Sequence, residues 1–105
     1  MLGHYSLIQY HKNVLRQEGI NYGVVLVRPN YATEVKIYFQ PNVSDVFTKQ
    51  LEDFKSKLVN TVFTVNDLRN WPRYHNAYEL QLTYPVSIFM TTESTLEDLY
   101  KELVL

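Results

Sequence analysis

Alternating apolar and polar side chains predict two neighbouring strands near the start of the chain. Residues 4–10 carry apolar groups on both alternating sets of positions, which indicates a strand inside a sheet. Residues 21–28 include the most apolar run of the chain, Val24-Val25-Leu26-Val27, which is typical of a strand covered on both faces. Residues 11–20 between them are rich in charged and amide side chains. We expect them to form a connection longer than a tight hairpin.

A third strand is predicted over residues 34–39, with one buried face and one wet face. Glu34, Lys36 and Tyr38 alternate with three apolar residues and should form the wet face. The preceding Pro29-Asn30-Tyr31 has turn chemistry, because proline donates no ladder hydrogen bond and asparagine tolerates unusual backbone dihedrals. Three strands in succession with short links favour an antiparallel meander.

Helical spacing replaces alternation in the middle of the chain. Four apolar residues at intervals of four, three and four predict one stripe on a helix that begins after an N-cap at Asn42 or Ser44 and ends near residue 59. Thr64-Val65-Asn66-Asp67 then resembles a capping box for a short helix over residues 65–70, which Trp71-Pro72 should end. The stripe residues are Phe47, Leu51, Phe54 and Leu58.

The last part of the chain predicts two strands and a final helix. Residues 78–84 alternate again, Pro85 interrupts the pattern, and residues 86–90 form a short apolar strand. Ser94-Thr95-Leu96-Glu97 has the capping-box pattern, and the apolar residues after it form one helical stripe. Strands and helices come in runs, so we predict a single α+β domain over residues 1–105. Its mostly antiparallel sheet should have about five strands, with two main helices packed on it.

Composition and charge exclude several classes of protein. The 105 residues contain no cysteine, which excludes disulfides, thiolate nucleophiles and cysteine zinc sites. The net charge of −1 provides no overall field that would attract nucleic acid. No apolar run is long enough to span a membrane and no secretory signal is recognisable, so we expect a cytoplasmic protein. Nine tyrosines suit both half-buried strands and binding surfaces.

The sequence contains no recognisable catalytic motif. It has neither a glycine-rich phosphate loop nor a serine nucleophile elbow, and its aspartates are scattered over helix starts and surfaces, which gives paired-carboxylate catalysis little support. His4, His11 and His75 are not spaced as metal ligands usually are. We therefore expect neither a metal nor another cofactor, and we favour a function without catalysis.

Arg16, Glu18 and Asn21 form a short polar cluster directly before the second strand. One interpretation is a small ligand or anion site, in which arginine donates, glutamate accepts or acts as a base, and asparagine orients the ligand. The alternative is local: Glu18 pairs with Arg16 or accepts backbone amides, and Asn21 closes a turn. Gly19 and Gly23 would then supply permissive dihedrals or close backbone approach. We favour the local alternative.

A second cluster is basic and aromatic and runs from Arg69 to His75. Arginines beside aromatic rings can stack single-stranded bases or contact a protein partner. The alternative is a loop that docks Trp71 into the core, which we favour because a lone tryptophan is usually largely buried. The side chains of this cluster are Arg69, Trp71, Arg73, Tyr74 and His75.

The opening of the chain resembles the bacterial domain-of-unknown-function 3037 family. The residues that carry the resemblance are Tyr5-Ser6-Leu7-Ile8-Gln9-Tyr10, followed by Arg16-x-Glu18-x-x-Asn21-x-Gly23-Val24-Val25-Leu26. The closing Leu80-Gln81-Leu82-Thr83-x-Pro85 and the helix with Leu96-x-x-Leu99-Tyr100 are also similar to the family pattern. Two departures are Gln9, where the family has arginine, and His11-Lys12-Asn13, where a proline and an aspartate are common.

The resemblance implies a candidate protein partner, but no particular reaction or ligand. The family has no assigned function, but its members are often encoded beside a protein that looks like a HipA-type kinase. Our first hypothesis is therefore a non-enzymatic protein-interaction or regulatory protein of bacterial or phage origin, with a kinase-like or toxin-like partner. Its candidate contact surfaces are the wet face of the third strand, with Tyr38, and the basic-aromatic cluster with Arg69, Trp71, Arg73 and Tyr74.

Two other classes of function are kept beside it. The second hypothesis is a small enzyme or ligand-binding domain centred on Arg16, Glu18 and Asn21. The third is single-stranded nucleic-acid binding through residues 69–75, which the net charge makes less favourable. Homodimerisation through an edge strand is compatible with all three.

Overall fold

The first strand of the chain is the centre of the sheet and pairs directly with three of the four remaining described strands. The computed structural model describes residues 2–13, 18–39, 45–75, 80–89 and 95–105, and the side chains of residues 12, 13, 18, 19 and 72–75 lie outside this description. The strands are β1 (Leu2–Asn13), β2 (Glu18–Val27), β3 (Glu34–Ile37), β4 (Leu80–Leu82) and β5 (Val86–Phe89). The helices are α1 (Asp45–Thr61), α2 (Val65–His75) and α3 (Thr95–Leu103).

The five strands form one antiparallel sheet in the order β3-β2-β1-β4, and β5 also pairs with β1. The first three strands are consecutive in sequence, which confirms the predicted meander. On the other side of β1, β4 pairs with residues 8–10 and β5 pairs with residues 2–5. Between them, Thr83 N–H donates to the Leu7 carbonyl at 2.9 Å and Leu7 N–H donates to Thr83 Oγ1 at 2.8 Å. β4 and β5 are therefore two halves of one interrupted edge.

Helices cover both faces of the sheet. One cluster of buried side chains joins α1 and α2 to residues such as Ile8 and Val25, and a second joins α3 to Val24 and Leu26. The predicted α+β class and a sheet of about five strands are thus confirmed, as is a second strand covered on both faces. The radius of gyration of 13.3 Å matches the ~13 Å expected of one domain of this length.

The predicted connection over residues 11–20 is wrong. β1 continues to Asn13, β2 already begins at Glu18, and these two residues are partners in the ladder. An antiparallel ladder is held by backbone hydrogen bonds, so it tolerates polar side chains where one face is exposed. The prediction took polar composition as evidence of a loop, whereas the strands only extend into a more polar part of the sheet.

A β-bulge at Tyr22 changes which residues of β2 meet each helix layer. Ile8 is paired with Gly23, while the next residue of β1, Gln9, is paired with Asn21, so Tyr22 is the extra residue. As a result, Tyr22 joins the α1 side, where its ring lies edge-on to Phe47 with centroids 5.4 Å apart. The side chain of Asn21 lies on the opposite face of the sheet, the face covered by α3.

The expected solvent-exposed face of β3 is instead partly covered by α3. Lys36 forms an ion pair with Glu97, and its ammonium group lies 4.7 Å from the centre of the Tyr100 ring. Tyr38 is half-buried and packs against the second core cluster. The prediction was wrong because alternation within four to six residues cannot reveal a helix that arrives from the other end of the chain.

The predicted α1 stripe is confirmed, since Leu51, Phe54 and Leu58 are buried and Phe47 is half-buried against the same cluster. The proposed N-caps of this helix, Asn42 and Ser44, lie outside the described residues, as does Ser94 before α3.

The capping box before α2 is also confirmed. Asp67 N–H donates to Thr64 Oγ1 at 3.2 Å, and Thr64 N–H donates to Asp67 Oδ2 at 3.0 Å. The predicted end of this helix at Trp71-Pro72 is wrong, because α2 continues to His75. Proline removes one helical hydrogen bond. The buried Trp71 anchors the segment before Pro72, which stabilises the helical path despite that loss.

The predicted turn after β2 is confirmed by its backbone and by a side-chain clamp. Asn30 has a φ of 64°, in the left-handed region that asparagine tolerates. Arg28 Nη2 lies 2.6 Å from Glu34 Oε1, and the Arg28 guanidinium lies 3.9 Å from the centre of the Tyr31 ring. These contacts join the end of β2 to the start of β3.

Candidate functional site

The structure describes the three residues of the first predicted site to different extents. Arg16 lies outside the described residues, and Glu18 is described only as a strand residue paired with Asn13. Asn21 has both ends of its amide engaged. Its Oδ1 accepts from Gln9 Nε2 at 2.9 Å, and its Nδ2 donates to the Leu103 carbonyl at 2.9 Å. Whether the three side chains converge on a ligand therefore stays a prediction.

Asn21 belongs to a chain of polar side chains that leads from β1 to the end of α3. Gln9 uses its amide N–H₂ on Asn21, so its Oε1 accepts from Nε2 of the buried His11 at 3.1 Å. At the other end, Leu103 is in the last turn of α3, where carbonyls have no intrahelical partner. These hydrogen bonds thus satisfy part-buried polar groups and fix where α3 ends on the sheet.

The basic-aromatic cluster does not form one exposed surface in the described residues. Trp71 is only 3% exposed, its indole N–H donates to Thr61 Oγ1 at 3.0 Å, and its ring lies edge-on to Phe54 at 4.8 Å. Arg69 is exposed, with Nη1 at 3.4 Å from Asn66 Oδ1. The side chains of Arg73 and Tyr74 lie outside the description. Trp71 is therefore a core residue, as the alternative interpretation expected, although it lies in α2 and not in a loop. Its buried ring offers no surface to a base or a partner.

Two side chains have perturbed acidity, and both shifts have structural causes. The hydrogen bond from the Phe63 backbone N–H is the main cause that lowers the pKa of Asp67. Burial opposes it, and hydrogen bonds with the backbone N–H and the side chain of Thr64 lower the pKa further. Burial raises the pKa of Tyr100, although the nearby Lys36 ammonium acts in the other direction. Asp67 caps a helix and Tyr100 packs α3 against the sheet, so neither shift marks a catalytic group.

The feature that the sequence did not reveal is an apolar edge of the sheet. We call it the β5 edge and define it as Leu2, Tyr84 and residues 86–89. Phe89 is 72% exposed and Tyr84 70%, while Leu2 and Val86 are each about half exposed. Leu2 and Phe89 are also direct cross-strand partners, so their exposed side chains lie side by side.

The β5 edge differs from the opposite edge of the sheet in its charge. No charged residue occurs between Glu79 and Glu93, whereas β3 carries Glu34 and Lys36. Edge strands in soluble proteins usually carry charges, bulges or a covering element that prevents pairing with another chain. Within the described residues, β5 pairs only with β1. The uncharged run was visible in the sequence, but its position at an edge was not.

Other kinds of site find little support in the described part of the chain. In the described ranges, no three histidine or acidic side chains lie close enough together to hold a metal ion. The described helices include none that is both long and apolar enough to cross a membrane.

Comparison with known proteins gives no match: neither a family model, nor a curated protein, nor a solved structure matches the chain. The resemblance to the domain-of-unknown-function 3037 family therefore stays a prediction.

Proposed function

We propose that this protein is a non-enzymatic protein-interaction domain that pairs with another polypeptide along the β5 edge. The observation that carries the proposal is the exposed, uncharged strand β5 beside the exposed Leu2. A strand added to such an edge gains backbone hydrogen bonds, and its side chains gain apolar contacts with Phe89 and Val86. The family resemblance adds a kinase-like or toxin-like protein of bacteria or phage as a candidate partner.

Binding at the β5 edge would bury apolar surface that the single chain leaves exposed. Burial of apolar surface stabilises a complex by about 25 cal/mol for each Å² removed from water. Phe89 and Tyr84 are large aromatic residues of the kind that dominates the binding energy of protein interfaces. Because both are mostly exposed in the single chain, most of this stabilisation is still to be gained on binding.

The test is a matched pair of lysine substitutions on two exposed phenylalanines. Phe89→Lys places a charge on the β5 edge, whereas Phe63→Lys places the same charge on the segment between α1 and α2, where Phe63 is 67% exposed. Tagged wild-type protein and both variants are used to capture partners from cells that make the protein, and co-purifying chains are quantified by mass spectrometry. We expect Phe89→Lys to reduce the recovered partner at least about tenfold, because a charge on an edge strand opposes strand pairing, and Phe63→Lys to retain it.

The partner that is recovered, including a second copy carrying a different tag, is then purified and its binding measured by calorimetry. Equal affinities for the two lysine variants would show that the β5 edge is not the docking surface. Recovery of no stoichiometric chain of either kind would count against the interaction hypothesis itself.

A further inference from the structure

We propose that the occupant of the β5 edge is a second copy of this chain, paired antiparallel through β5 about a two-fold axis at Ile88. The inference rests on the proposed function, since it names the partner for the same edge. It joins two five-stranded sheets into one continuous sheet across the dimer.

The directions of the backbone groups follow from the contact between Leu7 and Thr83. Both the N–H and the C=O of Leu7 point toward the β4–β5 side of β1. Strand geometry alternates these directions, so the backbone groups of Tyr5 and Gly3 point the same way and bond their partners Val86 and Ile88. The N–H and C=O groups of Ser87 and Phe89 therefore point outward, away from β1.

The outward backbone groups of one copy can form hydrogen bonds with the same groups of a second copy. When two copies of β5 run antiparallel with Ile88 opposite Ile88, Ser87 of each copy faces Phe89 of the other. Both such pairs are hydrogen-bonded pairs, so four N–H···O=C bonds cross the interface. A register shifted to Ser87 opposite Ser87 would place Phe89 opposite Pro85, which has no N–H to donate. Of these two registers, the one centred on Ile88 is therefore favoured.

The absence of charge from the β5 edge favours a second copy as the occupant, and the small exposed area indicates how tightly that copy binds. A symmetric interface brings each residue near its own counterpart, so a charged edge would repel itself, and the β5 edge carries no charge. With roughly 200 Å² for a whole aromatic residue, Tyr84 and Phe89 each leave roughly 140 Å² exposed. Together with Val86 and the newly paired backbone, two copies bury less than the roughly 1,200 Å² of a standard interface, so the dimer should be a weak one. We therefore expect a dimer with a dissociation constant in the micromolar range.

The absence of cysteine from the chain makes the register directly testable by disulfide cross-linking. Ile88 opposite Ile88 is a non-hydrogen-bonded pair, in which the side chains approach closely enough for a disulfide. Purified Ile88→Cys should form a covalent dimer under mild oxidation. Ser56→Cys, an exposed thiol on α1, is the control and should stay monomeric under the same conditions. If Ile88→Cys cross-links no faster than Ser56→Cys, the proposed register is wrong.

Sedimentation equilibrium of the unmodified chain tests the dimer independently of any cysteine. We expect the average mass to rise from one chain to two with concentration. Phe89→Lys should weaken the dimer at least about tenfold by adding charge to the edge, while Phe63→Lys should leave it unchanged. Ser87→Pro should also abolish dimerisation without unfolding the chain, because the N–H that proline removes points outward rather than to β1.

A chain that stays monomeric at every concentration would overturn the inference. In that case the chain can still be tested with a partner that is a different protein. The proposed function stands if Phe89→Lys abolishes binding of that protein and Phe63→Lys retains it. If both variants retain that partner, the proposed function at this edge fails as well.

Discussion

At the scale of single residues, Gly23 shows how closely the bulged part of the sheet is packed. A Cβ at this position would lie 2.9 Å from the Lys36 carbonyl oxygen, 3.0 Å from Ile37 Cγ1 and 3.1 Å from Ile8 Cδ1. The carbonyl belongs to the backbone of the neighbouring strand, so it cannot move aside without disturbing the ladder. Glycine is therefore needed here for close backbone approach and not for an unusual dihedral, since no described glycine has a positive φ.

We therefore expect Gly23→Ala to lower the free energy of unfolding by about 1–3 kcal/mol, as overpacking in a close-packed interior usually does. Urea denaturation followed by circular dichroism measures the change. Ser56→Ala, on the exposed surface of α1, should shift the free energy of unfolding by less than about 0.5 kcal/mol. Equal stabilities of Gly23→Ala and the parent would mean that β2 and β3 lie further apart at this point.

At the scale of elements, the attachment of α3 depends on the amide of Asn21. Asn21→Asp keeps an oxygen that accepts from Gln9 but replaces the donor to the Leu103 carbonyl by a second acceptor. Leaving that carbonyl unpaired, opposite a carboxylate, should cost about 1–3 kcal/mol. We expect hydrogen exchange to accelerate in α3 more than in α1. Asn60→Asp, an exposed site on α1, makes the same change of charge and should leave α3 protected.

The start of α2 supplies a prediction about pH. The pKa of Asp67 is lowered by hydrogen bonds from the Phe63 and Thr64 N–H groups, so the folded state favours the carboxylate. Its stabilisation is present above the ordinary value of 3.8 and is lost as the pH falls through the lowered pKa. Asp67→Ala should cost about 1 kcal/mol at neutral pH.

This cost should shrink when unfolding is measured well below pH 3.8. Asp53→Ala removes an exposed carboxylate from the middle of α1 and serves as the control. A cost for Asp67→Ala that stays the same at both pH values would contradict a role for the ionised carboxylate.

The elements that sequence patterns predicted well are those whose signals are local. The α1 stripe, the capping box at Thr64 and the turn at Asn30 each depend on residues within a few positions of one another. The helical path through Pro72 was missed because a distant anchor, the contact of Trp71 with Phe54 and Thr61, outweighs the local effect of proline.

At the scale of the whole molecule, the errors come from packing between distant parts of the chain. The class of fold and the meander follow from alternation and element order, so they could be predicted. The packing of α3 against Lys36 and Tyr38 could not be predicted, because these contacts join β3 to a helix far away in the sequence. The same limit applies to the candidate site: β5 is recognisable as an apolar strand, but only its pairing with β1 makes it an exposed edge.

The pairing of β1 with β5 has a consequence for how the protein folds during its synthesis. β1 is made well before β4 and β5, which complete one of its sides, and the contact between Leu7 and Thr83 spans 76 residues. Contacts of such separation carry the cost of closing a long loop before they contribute stability, so they form late. Until then the central strand remains open along one side, and a nascent or truncated chain is most vulnerable there to aggregation.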